Sequence, residues 1–201
     1  MKSHKLRSIV LTFILASLTI NCLAKREKNE PPPDPKFAII ERITLLPIVD
    51  ARVDKKVKLN LNTGILPLRT IAGQFLRTRH YKVTLGNSEA SIGELALADL
   101  QEAKPSFIKQ LGQPSDRWVM ILVVTDTSSK AVQLTGRQGS ATLLGFLFDK
   151  EAGILIWDGT SEGDSFERGL INLGDKKGTE YNAGMYAIDR LFKSLPKQEK
   201  K

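Results

Sequence analysis

Few residues in this chain could do chemistry, and they are scattered. Cys22 is the one cysteine among 201 residues. It can therefore form no internal disulfide, and alone it cannot build a zinc site. It stands in "SLTINCLAKREKNEPPPDP", between an apolar run and a charged, proline-rich segment. His4 lies in the opening basic stretch, which leaves His80 beside Arg79 and Tyr81, at the junction of a predicted helix and strand. A general base is one use of such a residue; a partly exposed junction residue is the plainer one. "WDGTSEGDSFE" gathers Asp158, Glu162, Asp164 and Glu167, and hard cations take oxygen-rich loops of this kind. The spacing is not that of an EF-hand, however, and an acidic solvated loop is the simpler reading. Asp126, at the end of a predicted central strand, is the residue that could meet that loop. Arg137 lies between glycines in "TGRQGSATL", where it either approaches an anion or merely opens a hairpin. Trp118 and Trp157 read as core or sheet-face residues. Trp157, if exposed, and Arg137 are the interface candidates, since aromatics and arginines are enriched at binding hot spots. The chain has no Gly-x-Ser-x-Gly elbow, no His-Glu-x-x-His, no phosphate loop and no dinucleotide fingerprint. The expectation is no catalytic residue, no metal site and no cofactor.

The layout around Cys22 is that of an export signal. Lys2, Lys5 and Arg7 make a basic start, followed by "SIVLTFILASLTI", too short to span a bilayer comfortably at the ~20 residues required. "LTINC" resembles a relaxed bacterial lipobox, in which Cys22 becomes the lipidated first residue of the mature chain. Asn21 stands where a small residue is usual, and Leu18 is one place early. The competing outcomes are cleavage after Ala24 and plain secretion, or an uncleaved anchor. The chain therefore divides into a signal peptide (1–21), a lipidated cysteine with a Pro-rich tether (22–36), one α/β domain (37–196) and a basic disordered tail (197–201). The net charge is +8. Three of those charges leave with the signal peptide, and "KQEKK" at the end supplies part of the rest, so no concentrated nucleic-acid patch is indicated.

Those residues must be positioned by a folded body, and 41% hydrophobic with 26% charged residues is the composition of a chain with a core. "FAIIERITLLPIVDARV" reads as a first strand, ended or kinked at Pro47. Val57, Leu59 and Leu61 could add an edge strand. "GILPLRTIAGQFLRTRHY" places Leu68, Ile71, Ala72, Phe75 and Leu76 on one helical face. "HYKVTL" is a strand. "SIGELALADLQEA" opens with the capping-box spacing Ser91…Glu94, and "PSFIKQLG" continues as a helical piece ending at Gly112. "RWVMILVVTDT" lacks alternation, as a strand covered on both faces does. "SATLLGFLFDKEAGILIWDGTS" is a hairpin whose turn uses Gly153. "EYNAGMYAIDRLFKSLP" is a last helix, with Tyr181, Met185, Ile188 and Phe192 on one face. The predicted fold is α/β (α+β): one mixed sheet of about five strands packed with three or four helices, in the order β-α-β-α-β-β-β-α. The first three strands are parallel and the last three antiparallel.

The pieces "ITLLPIVD", "FLRTRHYKV", "DRWVMILVVTD", "LLGFLFDKEAGILIW" and "AIDRLFKSLP" run in this order from about Ile40 to Pro196. Together they resemble a family of small bacterial envelope lipoproteins, which share the fold of the curli-secretion lipoprotein and of the amino-terminal domain of the Tol-system propeller protein. "TRHYKV" departs from the pattern, since a Gly-Tyr pair is usual there. The resemblance implies a non-catalytic accessory or docking subunit of a transport, secretion or cell-wall assembly. It would be held at the membrane by acyl chains on Cys22, with an envelope protein as its partner and no nucleic acid. Leu23, which is not aspartate, tilts sorting towards the outer membrane. The alternative is a secreted periplasmic hydrolase or ligand-binding protein using the acidic loop; a pocket gathering Asp126, Asp158 and Asp164 would favour it. A ring-forming channel subunit needs an extra pair of long strands, and no additional stretch of about ten alternating residues is visible.

Overall fold

The structure is a computed structural model that describes residues 34–86, 97–132, 136–168 and 176–198. All of these belong to one compact unit spanning residues 33–201. Among them are six strands of a single mixed sheet and five helices, which is the predicted class. Cys22 and the Ser91…Glu94 capping box lie outside the described residues.

The body begins slightly before the predicted boundary. Asp34 caps helix α1 (Pro35–Ala38) by accepting from the Lys36 N–H at 3.0 Å, and Pro35 sits in the first turn, where its missing donor costs nothing. Residues 37–41 are therefore not strand. Strand β1 (Arg42–Leu45) follows, and Pro47 separates it from β2 (Val49–Asp50). Both pair in parallel with the long strand β4 (Trp118–Val132), at Trp118–Met120 and Val123–Val124 respectively. Residues 57–61, a candidate edge strand, form no strand. Helix α2 (Leu68–Thr78) buries Leu68, Ile71, Ala72 and Leu76 as its periodicity requires, and leads to the edge strand β3 (Lys82–Leu85). Two short helices, α3 (Leu97–Glu102) and α4 (Pro105–Ile108), precede β4 (Trp118–Val132). The antiparallel strands β5 (Gly136–Asp149) and β6 (Ile154–Arg168) and helix α5 (Lys176–Lys193) complete the chain. Sheet order is β3-β1-β4-β5-β6, with β2 beside β4.

Two apolar layers sandwich the sheet. On one face Met120, Leu122, Val124, Leu143, Leu147 and Trp157 pack with α2 and α5. On the other Val119, Ile121, Val123, Phe146 and Phe148 pack with α3 and α4. The first seven residues of β4 are buried without alternation for this reason. The β5–β6 turn is held by Asp149, whose carboxylate accepts from the N–H groups of Glu151 and Ala152, and Gly153 adopts φ +68. At the far end Gln198, predicted as tail, is fastened: its amide donates to the carbonyls of Phe37 and Ile40.

The antiparallel strands are longer than expected, with 15, 14 and 15 residues. They continue through "TDTSSKAV", "GRQGSAT" and "EGDSFER", which lack the apolar alternation of a half-buried strand. One face of this extension packs on α5 through very small residues. A Cβ on Gly139 would lie 2.7 Å from the Thr179 carbonyl oxygen, and one on Gly163 would overlap the backbone at Ala183 and Ala187. Ser165 donates to the Thr179 carbonyl at 2.6 Å and Ser161 to that of Ala187 at 2.5 Å. The other face presents Asp126, Ser128, Glu162 and Asp164 to solvent.

Candidate functional site

A buried polar group joins three elements, β2, β4 and α5. Arg52, 4% exposed, donates from Nε and Nη2 to the two carboxylate oxygens of Asp50, both at 2.8 Å. The same Nη2 reaches the Val57 carbonyl at 3.1 Å, and Nη1 reaches Thr127 Oγ1 at 2.9 Å. Thr127 in turn donates to Glu180 Oε2 at 2.9 Å, with Arg52 Nη1 at 4.0 Å from the same oxygen. Glu180 is 2% exposed. A buried carboxylate is tolerable only when paired and hydrogen-bonded, and the threonine hydroxyl completes that pairing. Burial alone would raise the Asp50 carboxyl, but the hydrogen bonds and charge of Arg52 outweigh it and hold it below the ordinary carboxylate value. The hydrogen bond to Asp50 raises Arg52 correspondingly. A cavity of about 200 Å³ adjoins the cluster, lined by Asp54, Lys56, Val57, Thr127, Ser128 and Glu180 among others. The cluster's evident work is to lock the connection after β2 onto β4 and α5.

Sequence patterns alone did not mark these four residues. One signal was available: Glu180 lies three residues before Ala183 and seven before Ala187, which puts a carboxylate on the buried stripe of α5. Arg52 in "VDARVDKK" has no such signature.

The predicted site residues do not converge. By strand register Asp126 stands beside Thr142 and Glu162, Asp164 beside Ser140, and Asp158 beside Phe146. Asp126, Asp158, Glu162 and Asp164 are all exposed. At ~3.4 Å per residue, Asp158 and Asp164 are about 20 Å apart along β6, and two strand spacings of ~4.8 Å put Asp126 about 10 Å from Glu162. The predicted acidic loop is therefore an acidic strand, and Asp164 pairs with Arg190 at 3.4 Å. The Glu167 side chain lies outside those described. No group of three or more His, Cys, Asp or Glu able to hold a metal occurs among the described residues.

Arg137 is strand rather than hairpin approach. It is half-buried in β5 between Ala131 and Glu167 and donates to Ser129 Oγ at 3.4 Å. Trp157, 8% exposed, is core: its ring is seated over Gly145 and Gly159, where an added Cβ would come within about 3 Å of it. It is the core residue of the first reading, and the exposure that an interface role required is absent, because two glycines let the indole lie flat against the sheet. His80 is exposed and holds φ +70 at the C-terminus of α2. Its N–H reaches the Arg77 carbonyl and that of Tyr81 reaches Leu76, a Schellman arrangement whose left-handed position glycine normally fills.

A larger cleft, about 680 Å³, lies over β1 and β3, lined by Arg42, Thr44, Lys82, Asp116, Arg117 and Trp118 among others. Arg42 and Lys82 are register neighbours. Asp116 is occupied by the Thr44 hydroxyl at 2.8 Å and the Gln113 N–H at 2.7 Å. Arg117 bridges Asp149 and Glu151 while lying 4.5 Å over the Trp118 ring.

No protein-family model matches the chain, and no curated protein matches it. Solved structures do. The PelC dodecamer from Paraburkholderia phytofirmans is 12% identical, with 82% of this chain and 93% of that one covered and a TM-score of 0.42. Lipoprotein GNA1162 from Neisseria meningitidis is 17% identical, with coverages of 67% and 88% and a TM-score of 0.40. A minor lipoprotein from Acinetobacter baumannii is 12% identical, with coverages of 81% and 98% and a TM-score of 0.38. Likeness at this level transfers neither site residues nor activity. Among the described residues no helix is long and apolar enough to cross a membrane.

Proposed function

We propose that this chain is an exported bacterial envelope lipoprotein, anchored by acyl chains on Cys22, whose folded body acts by docking to an envelope assembly and not by catalysis. The observation that carries the reading is the position of Cys22. The chain's one thiol stands where a basic start and an apolar run end and a charged, proline-rich tether begins. One acyl chain holds a protein only marginally, and two or more hold it stably. The tether's prolines keep it extended and its charges keep it solvated. A docking role is supported further by the scatter of the carboxylates. Asp126, Asp158 and Asp164 stand exposed along an open sheet, where a hydrolytic or ligand-binding alternative needs them gathered in a pocket. The envelope partner, and placement on the outer membrane in keeping with Leu23, belong to the same proposal.

Metabolic labelling with an alkyne fatty acid tests it. The wild-type chain is expected to incorporate label and to fractionate with membranes, and Cys22→Ser to do neither. Recovery of an unlabelled, soluble wild-type chain beginning at Lys25 would refute the anchor.

A further inference from the structure

The connection from Ala51 to Pro67 has no regular secondary structure, yet it is held at many points. Ala51 donates to the Val124 carbonyl at 2.9 Å. Arg52 is fixed by the buried cluster. The Asn62 side chain accepts from the N–H of Ile48 at 2.6 Å and donates to its carbonyl at 2.8 Å. Leu61 is buried, and the carbonyls of Asn60 and Leu61 receive the N–H groups of Leu68 and Arg69. The Tyr181 hydroxyl donates to the Leu66 carbonyl at 2.5 Å. Two neighbouring residues of α5, Glu180 through Thr127 and Arg52, and Tyr181 through Leu66, thus fasten both ends of the connection to the body.

On this fixed backbone the side chains left in water are unusual. Val53 is 103% exposed, Ile65 91% and Leu66 51%. Leu66 also holds a left-handed conformation, φ +49, directly after Gly64 and Ile65, a conformation that costs a branched apolar residue energy. Lys55, Lys56 and Lys58 of the same connection are exposed; Lys56 meets Asp54 only in a solvated pair at 3.3 Å.

We infer that residues 53–66 form a second membrane contact: Val53, Ile65 and Leu66 enter the interface of an anionic bilayer while Lys55, Lys56 and Lys58 meet its headgroup phosphates. Composition favours lipid over a protein partner. Protein interfaces are built on aromatic and arginine anchors and are depleted in lysine. This connection has three exposed lysines and no aromatic residue, and its one arginine before Pro67, Arg52, is buried. Apolar side chains flanked by lysines are the arrangement that seats a segment at the acyl–headgroup boundary. The inference builds on the proposed location at a membrane but not on acylation itself.

The test therefore uses the chain from Lys25, which has no cysteine and keeps every residue of both cores. Sedimentation with vesicles of equal phosphatidylglycerol and phosphatidylcholine should show binding, and phosphatidylcholine alone should bind far less. Replacing Lys55, Lys56 and Lys58 with glutamine should weaken binding on the order of 100-fold, about fivefold per lysine. Ile65→Ser with Leu66→Gly, which relieves the left-handed backbone, should weaken it about tenfold or more. A polarity-sensitive dye on Ile65→Cys should shift to the blue on adding the mixed vesicles. Equal binding by wild type and both variants, or unchanged dye emission, overturns the inference. So does retention by a protein through Ile65 and Leu66 with vesicles left unbound. Because Cys22 is absent from the assay, loss of fatty-acid labelling in the intact protein leaves this outcome independent.

Discussion

Replacing Gly163 with alanine should be among the most damaging single changes in the molecule, although it adds one methyl group to a strand at the sheet's edge. The added Cβ would overlap the Ala183 carbonyl oxygen and the Ala187 nitrogen, and would lie 2.9 Å from Ala187 Cα. Carbon pairs prefer ~3.5–4.0 Å, and the colliding atoms are helix backbone with no rotamer to change. Helix α5 must lift from β6 by ~0.6 Å or more. A gap of that size forfeits a quarter or more of the dispersion wells beneath it. Ile188, Leu191 and Phe192, all within 1% of full burial, are worth ~2 kcal/mol each, so the helix loses about 1.5 kcal/mol from them. The hydrogen bonds from Ser161 to Ala187 and from Ser165 to Thr179 contribute ~1 kcal/mol each and stretch with the same movement. Against this, alanine narrows the unfolded ensemble by ~0.4–1 kcal/mol. The net is about 2–3 kcal/mol, read by urea denaturation as a midpoint lowered by about 1–2 M at unchanged m. Gly184→Ala is the internal control. Its Cβ meets only the Leu68 side chain, Cδ1 at 3.0 Å and Cδ2 at 3.7 Å, whose end can give by a few tenths of an ångström where helix backbone cannot, and alanine improves helix propensity by ~1 kcal/mol; it should be neutral or stabilising. A Gly163→Ala protein within about 0.5 kcal/mol of wild type would refute the close helix–strand contact on which this reasoning stands.

His80→Gly should stabilise the protein by about 0.5–1 kcal/mol, because relief of a left-handed non-glycine residue at ~1–2 kcal/mol exceeds the entropy glycine adds to the unfolded chain; thermal unfolding at neutral pH checks it. Arg52→Met should cost about 3 kcal/mol in the same urea assay, since Glu180 is left as a buried carboxylate while Asp50, with 27% of its side chain exposed, recovers some hydration. Asp50 also predicts an acid dependence. Its folded value is depressed, so the stability it supplies is fully present above the ordinary carboxyl value of 3.8 that it has when unfolded, and is lost as pH falls through the lower folded value. A stability profile taken downward from pH 6 should therefore be flatter for Asp50→Asn than for wild type, and parallel profiles would count against the pair. Tyr81 has the opposite sense. Burial raises its phenol well above the ordinary value, and its hydroxyl donates to the Pro196 carbonyl at 2.7 Å, so its contribution holds below the unfolded value and fades as pH rises past it. Tyr81→Phe should be less sensitive above pH 10.

Helical periodicity and the unbroken apolar run of β4 were legible because they follow directly from which side chains must leave water. Leu68, Ile71, Ala72 and Leu76 could lie on no other face, and seven consecutive buried residues in β4 need cover on both sides. The second halves of β4 and β6 and the first half of β5 were not legible as strands, for an equally physical reason. Their inward face carries no large apolar side chain. Gly139, Ala141, Gly163 and Ser165 are small because α5 comes too near for anything larger, so the burial leaves a pattern of small residues at every second place, not of hydrophobicity. A search for apolar alternation passes over such a pattern, whereas a search for alternating small residues would have found it in "GSATLLG" and "GTSEGDS".

The same contact explains the placement of the buried ions. Where α5 lies against glycines and serines it gains little from apolar burial, and its first turns need another hold on the sheet. Glu180 supplies one through Thr127 and Arg52, and Ser165 and Ser161 bond the helix carbonyls directly. Arg52 and Tyr181 then extend that hold to the connection carrying Val53, Ile65 and Leu66. The polar core is thus what fixes the exposed apolar side chains in place. Arg52→Met in the chain from Lys25 should accordingly weaken binding to phosphatidylglycerol vesicles as well as lower stability, even in conditions where the protein remains fully folded. Undiminished vesicle binding by a folded Arg52→Met protein would show that the connection keeps its shape without the buried cluster.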